Sequence, residues 1–187
     1  MKEIDYSKYY WQDKKIRLRP TTVYDWEEFY YNYFDNSARF FLDSLIELPL
    51  TREEAKEVWT KFIENQANGF INFTIETHNG INVGSANLHG IDERNGTFGG
   101  GMQIGREFRG KGYGTRAMSI ILDYAFNERR LHKYSAYIIE GNIASESMLK
   151  KLGCIEEGIK RDMVYHQGRY WNEIHYGLLA DEFKLIK

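Results

Sequence analysis

Two Asn-Gly dipeptides, Asn79-Gly80 and Asn95-Gly96, constrain the fold of this chain more than any other feature. Tight hairpin turns need positive φ at one or both central positions, which asparagine and glycine adopt most readily. Ahead of the first turn, Ile71, Phe73 and Ile75 alternate with Asn72 and Thr74, the period of a half-buried strand. A second strand runs over Ile81 to His89, and Thr97 to Ile104 returns after the second turn. The pattern predicts a three-stranded antiparallel meander.

On either side of the meander the period changes. Ile16-Arg17-Leu18-Arg19-Pro20 reads as a short first strand stopped by proline. Thr21 or Thr22 then caps a helix with Trp26, Phe29, Tyr30, Tyr33 and Phe34 on its apolar stripe. Thr51-Arg52-Glu53-Glu54 is a capping box, followed by Ala55, Val58, Trp59, Phe62 and Ile63 at helical spacing, with Gly69 ending the segment. After the meander come a helix near Thr115 to Asn127, with Met118, Ile121, Leu122 and Ala125 inward, and a strand at Tyr134 to Ile139. A helix from Ala144 to Leu152 stops at Gly153, and strands around Met163 to Tyr165 and Tyr170 to Leu179 flank a Gln167-Gly168 turn. The order predicts a mixed α/β fold in one domain, residues 16–187, with residues 1–15 as an extension packed on it.

Composition narrows the class. An apolar fraction of 42% with 16% aromatic residues supplies a packed core. A net charge of −2 argues against a nucleic-acid binder, which carries a basic excess. No apolar run approaches the roughly 18 residues of a membrane span. Met1–Lys15 lacks the apolar stretch of a signal peptide, and the single cysteine, Cys154, allows no internal disulfide. A cytoplasmic protein with neither nucleic-acid nor membrane partner is expected; a homodimer is left open.

The chemistry lies in Ile104-Gly105-Arg106-Glu107-Phe108-Arg109-Gly110-Lys111-Gly112-Tyr113-Gly114-Thr115. Alternate glycines between a strand and a helix start let the backbone turn tightly and admit a ligand close to it. The free amides and positive dipole end of the next helix suit a phosphate, and Arg109 and Lys111 add charge. Two phosphate motifs fail here. A Walker A loop would need serine or threonine after Lys111, where Gly112 stands; a dinucleotide fingerprint would need glycine where Thr115 stands.

What fits is Q/R-x-x-G-x-G/A, carried by Arg109, Gly112 and Gly114. Here the chain resembles the GNAT superfamily of N-acetyltransferases. Within it the chain is similar to the RimJ/RimL-like branch, which includes ribosomal-protein N-terminal acetyltransferases and spermidine N-acetyltransferase. The likeness runs in order from about Ile16 to Phe183. It includes Asp123-Tyr124-Ala125-Phe126, Asn142-Ile143-Ala144-Ser145 with Lys151-Leu152-Gly153, Glu157-Gly158, Gly168-Arg169-Tyr170 and Tyr176-Gly177-Leu178-Leu179. It implies a mostly antiparallel sheet with one parallel pair splayed apart, and acetyl-CoA as co-substrate with its pantetheine in that gap. By the same resemblance, backbone groups of Met102, Gln103 and Ile104 pair with the pantetheine. Amides of Arg109, Gly110, Lys111, Gly112, Tyr113, Gly114 and Thr115 hold the pyrophosphate, and Asn142 bonds the pantetheine or thioester region.

Acetyl transfer needs a neutral amine, a polarised carbonyl and a proton for the leaving thiolate. Many GNAT enzymes place a tyrosine for that proton where this chain has Leu149. The serine used in the RimL-like branch is matched by Ser145, which could equally be a helix-start residue bonding free amides. The branch's glutamate base is replaced by Val164, so the base is unassigned. His89 and Asp92 read as solvated groups at a strand end, Glu140 likewise, and Tyr176 and Cys154 as packing residues. The five histidines show no metal-ligand spacing, and no metal is expected. A coenzyme-binding sensor without turnover is the alternative to an enzyme.

Charge points to the acceptor. From Thr21 to Asn65 the chain holds ten acids and four bases; from Arg106 to Arg161 it holds eleven bases and seven acids. An acidic acceptor side would favour a cationic amine: a protein N-terminus, a polyamine or another small amine.

Overall fold

A computed structural model of the chain describes residues 4–44, 46–64 and 70–186. Its strands are β1 (Ile16–Pro20), β2 (Ile71–Thr77), β3 (Asn82–Asp92), β4 (Thr97–Ile104), β5 (Lys133–Ile139), β6 (Ile155–His166) and β7 (Arg169–Leu179). They form a single seven-stranded sheet in the order β1-β2-β3-β4-β5-β7-β6. Every neighbouring pair is antiparallel except β4 and β5. The meander is β2-β3-β4, with Gly80 at φ 78° and Gly96 at φ 67° in its two turns; Asn79 and Asn95 do not take positive φ, so the glycines alone supply the left-handed backbone.

The sixth strand is longer than its pattern suggested. Irregular register between Glu156 and Gly158, and again between Lys160 and Val164, breaks the two-residue alternation. A bulge inserts an unpaired residue, so faces swap partway along and periodicity marks only the last stretch.

The helices are α1 (Trp26–Tyr33), α2 (Asn36–Asp43), α3 (Arg52–Glu64), α4 (Tyr113–Asp123) and α5 (Ile143–Leu152). Thr22 caps a 3-10 turn, Val23–Asp25, that leads into α1, and Asp25 bonds back to it. At α3 the capping box forms: the Glu54 amide donates to Thr51 Oγ1 at 3.2 Å, and the Thr51 amide to the Glu54 carboxylate at 2.8 Å. Gly69, expected at that helix's end, lies outside the described residues. The stripe expected of α1 does not enter the core. None of its residues is fully buried and Phe34 is exposed, while Phe29 stacks on Trp59 of α3 with centroids 5.0 Å apart. Helix α2 had not been expected.

The main core lies between one sheet face and α4. Ile16, Leu18, Ile75, Leu88 and Phe98 meet Met118, Ile121, Leu122 and Ala125, the four residues read as inward. A π turn, Tyr124–Glu128, continues α4. The N-terminal extension is tied in as well. Trp11 packs between Phe73 (4.7 Å) and Tyr124 (4.6 Å), and Asp13 pairs with Arg116 of α4. Among the described residues no helix is long and apolar enough to cross a membrane.

Candidate active site

The parallel neighbours β4 and β5 are joined only at their starts, where Thr97 opposes Lys133 and Phe98 opposes Tyr134. Beyond that pair they diverge. Backbone polar groups alternate in direction along a strand. The Gly101 amide bonds Asn87 Oδ1 at 3.0 Å and the Gly105 amide bonds Val83 O at 3.0 Å, so odd-numbered residues of β4 serve β3. Gly100, Met102 and Ile104 therefore turn their amides and carbonyls into the gap. At its apex Tyr134 donates its hydroxyl to Gly100 O at 3.1 Å. Gln103, opposite Ser85, gives its backbone to the β3 ladder; of the three residues assigned to the pantetheine, Met102 and Ile104 face the gap with their backbone.

A cavity of about 590 Å³ opens here, bounded by β4, the glycine-rich loop, α2 and the start of α5. Met102, Gln103, Ile104, Arg109, Gly110, Gly112, Tyr113, Gly114, Thr115, Asn142 and Ser145 all line it. Lys111 does not; it is exposed, with its ammonium 5.3 Å from the Phe108 ring centroid.

The loop's glycines have different reasons. Gly110 (φ 77°) and Gly112 (φ 81°) take left-handed backbone, where a Cβ would meet nothing but the conformation itself is strained. Gly114 is buried, and a Cβ there would overlap the thioether end of Met102. The thioether is the free end of a flexible side chain, so glycine here leaves it room against α4. Gly112 is the N-cap of α4 and supplies no side-chain bond, and no acid occupies the first turn. By contrast, Asp35, Thr51 and Asn142 cap α2, α3 and α5. The first amides of α4 are left open on the cavity side, the arrangement that suits an anion.

Arg109 is committed to protein partners. Its Nε donates to Ile104 O at 2.9 Å and its Nη1 lies 2.8 Å from Asp35 Oδ2. Burial pushes the Asp35 carboxyl up, but hydrogen bonds from Ser37, Ala38 and Arg109 outweigh it and hold the carboxyl below its ordinary range. One guanidinium thereby joins the end of β4 to the start of α2. The α2 residues Ser37, Ala38, Phe41 and Leu42 form a cavity wall that the sequence reading missed. The signal was present: Asp35 as a cap, then Ala38, Phe41 and Leu42 at helical spacing.

Asn142 Oδ1 accepts from the Ser145 amide at 3.2 Å, so Asn142 performs the capping considered for Ser145. That leaves the Ser145 hydroxyl at the cavity and the Asn142 amide nitrogen beside it. Leu149 is buried in the main core, and Val164 is buried with Phe40 and Ile139 in a second cluster. Both family positions are given over to packing. Tyr176 is buried, and burial raises its hydroxyl pKa. Burial likewise pushes the Cys154 thiol to about 12, which removes it as a nucleophile. Asp92 is a turn residue accepting from the amides of Arg94 and Asn95, each at 3.0 Å, and Glu140 is exposed. His89 is not at a strand end, because β3 runs on to Asp92. Among the described residues, no three His, Cys, Asp or Glu side chains gather as metal ligands.

A parallel pair splayed over an uncapped helix start leaves a slot between two strands that ends at a helix terminus open to an anion. Residues 15–155 match the family model described as an acetyltransferase (GNAT) domain. The chain is 28% identical over 176 residues to YokL of Bacillus subtilis (strain 168), an SPbeta prophage-derived uncharacterized N-acetyltransferase, covering 94% of this chain and 96% of that one. Over 121 residues it is 31% identical to the uncharacterized N-acetyltransferase p20 of Bacillus licheniformis, covering 65% and 67%. Its fold is like that of spermidine N-acetyltransferase from Vibrio cholerae, solved with CoA and spermine: TM-score 0.77 at 21% identity, covering 91% and 98%. The chain belongs to the GNAT acetyltransferase family. It is an acetyl-CoA-dependent N-acetyltransferase.

Proposed function

We propose that the acetyl group goes to a cationic primary amine, a basic protein N-terminus first and a polyamine or other small amine second. The assignment of donor residues rests on the β4–β5 gap ending at the open start of α4. In this reading Met102 and Ile104 hold the pantetheine by backbone bonds. The amides from Arg109 to Thr115 hold the pyrophosphate, with Lys111 adding charge. The Asn142 amide nitrogen bonds the pantetheine or thioester region. The amine lone pair attacks the thioester carbonyl, a C–N bond forms and the C–S bond breaks. Ser145 hands its hydroxyl proton to the departing thiolate and is reprotonated from the nitrogen.

Glu28 of α1 carries the preference for a cation. It is half-buried with no cation partner among the described residues, and its carboxyl is raised by burial and by Glu107, Glu27 and Asp25. A bound ammonium would relieve that crowding. Not all of the acidic excess is available, since Asp25 pairs with Arg19 and Asp35 with Arg109. Amine chemistry orders the choice. At pH 7 an α-amino group, pKa about 8, costs only ~1.4 kcal/mol to deprotonate, against roughly 4.6 for a lysine-like amine. A cytoplasmic location and a homodimeric assembly belong to the same proposal.

The test is thiol release from acetyl-CoA across an acceptor panel at several salt concentrations. Basic peptides with free N-termini should react fastest, polyamines next, and added salt should slow both. Anionic or hydroxyl acceptors outperforming every cationic amine would overturn the assignment.

A further inference from the structure

Behind the gap, on the sheet face away from α4, three rows of side chains cross β2, β3 and β4. Cross-strand partners share a face. Thr74, Ser85 and Gln103 form one row, Asn72, Asn87 and Gly101 the next, and His89 with Gly99 the third. Three buried side-chain nitrogens on this face have no hydrogen-bond partner among the described residues: Asn72 Nδ2, His89 Nδ1 and Gln103 Nε2. Each row supplies one. Buried polar groups are seldom left unpaired, so two carboxamide donors and one ring nitrogen together call for water or for a ligand that offers acceptor atoms beside its amine, as a peptide does.

The floor beside them is bare backbone. A Cβ at Gly99 would lie 3.0–3.4 Å from the His89 ring atoms, so the imidazole rests flat on that glycine. A Cβ at Gly101 would meet only the Asn87 carboxamide, at 3.7–3.8 Å. Glycine inside a strand marks a place where something approaches the backbone closely. Between these glycines stands Gly100, whose backbone faces the apex of the gap, where a pantetheine held by Ile104 and Met102 would bring its acyl end.

We propose that the acceptor amine is received over the bare glycine backbone of β4 on this face and that His89 is its general base. The inference rests on the acetyl-transfer reading above. The neutral imidazole takes one proton from the R–NH₃⁺ group, directly or through one water, and becomes imidazolium. The freed lone pair forms the C–N bond, the second proton leaves the nitrogen as the C–S bond breaks and ends on sulfur, and the imidazolium releases its proton to solvent. Nothing is oxidised or reduced.

Burial lowers the His89 pKa and keeps the ring neutral at pH 7. Among the described residues, the groups packed against it carry no charge: Phe70 ahead of β2 at 5.5 Å between ring centroids, Asn72 of β2, Asn87 of β3 and Gly99 of β4. Phe62 of α3 packs on Phe70, with ring centroids 6.2 Å apart. Charged groups lie farther along the same face, where Glu76 pairs with Arg17 and Arg19, and Glu28 borders a hollow with Gln103. A base of this strength suits an α-amine better than a polyamine, because the proton moves less far uphill.

His89→Gln is the test. With a peptide acceptor at pH 7, kcat should fall roughly 10²-fold or more, while acetyl-CoA affinity measured by calorimetry stays within about twofold. The acid limb of the parent's kcat profile should inflect below the ordinary histidine value of 6.5 and vanish in the variant. The deficit should shrink toward about pH 10, where solvent deprotonates the amine. A variant with kcat within about threefold of the parent, or with the same acid limb, overturns the role. If circular dichroism shows His89→Gln misfolded, His89→Asn takes the same readouts. If neither folds, the parent's own profile decides: an acid limb set only by the acceptor's pKa overturns the assignment. A parent that binds coenzyme A yet releases no thiol with any amine removes the acetyl-transfer reading and His89 with it. An active parent with an unaffected variant removes only His89.

Discussion

Asn142 and Ser145 divide two roles, helix cap and hydroxyl donor, that Ser145 could have filled either way. Because Asn142 Oδ1 caps α5, the Ser145 hydroxyl stays available at the cavity while its amide is satisfied. Ser145→Ala removes the hydroxyl without touching that cap. Turnover should fall, within the ~10²–10⁴-fold typical of general acids and bases, while acetyl-CoA affinity changes little. Steady-state kinetics beside calorimetry check this, and parental turnover would return Ser145 to a structural residue. The motif showed which residues to examine, but only the bond between Asn142 and Ser145 separated cap from hydroxyl. His89 makes the same point from the other side. Sequence spacing gave it a solvated strand end, whereas pairing with β4 laid its ring on Gly99.

Helix α2 is the element that the pattern concealed. Its eight residues are too few for a secure period, and just two residues, Phe34 and Asp35, separate it from α1. What holds it is the Asp35 cap and the pair with Arg109. Asparagine caps a helix as well as aspartate does, so Asp35→Asn keeps α2 started while breaking the charge pair. The variant should lose up to about 1 kcal/mol at pH 7, from an ion pair whose Arg109 side is partly exposed, and bind acetyl-CoA several-fold more weakly. Acid dependence follows the sign of the shift. The Asp35 carboxyl lies below its unfolded value near 3.8, so its contribution is full above that value and is lost as pH falls through the lower folded one. The parent should therefore lose stability more steeply below about pH 4 than Asp35→Asn. Denaturation series across pH measure both, and parallel acid limbs would deny the pair its role.

For the whole molecule, the extension and the domain behave as one body. Trp11 fills a place between Phe73 and Tyr124, and the Asp13–Arg116 pair fastens the chain to α4 near the loop that ends the cofactor slot. Trp11 is only half-buried, so Trp11→Ala should cost on the order of 2–3 kcal/mol, less than the 3–5 of a core tryptophan. For a chain of this size that is a fall in Tm of several degrees. Removing residues 1–13 should cost more. A truncated protein that melts with the parent would make the extension an ornament.

Local rules account for most of the fold. Paired Asn-Gly turns, alternating strands, the Thr51 capping box and the inward face of α4 are set by neighbours within a few residues, and those preferences are written in order along the chain. The cofactor loop was legible for the same reason, since glycine spacing directly states where backbone must turn. Tertiary structure alone decided three other matters. It placed Leu149 and Val164 in packed clusters, bound Arg109 to Asp35 across the cavity, and aligned Asn72, His89 and Gln103 on one face of three strands. Each joins residues distant in sequence, and which side chains meet across a sheet depends on register and bulges that no local window contains.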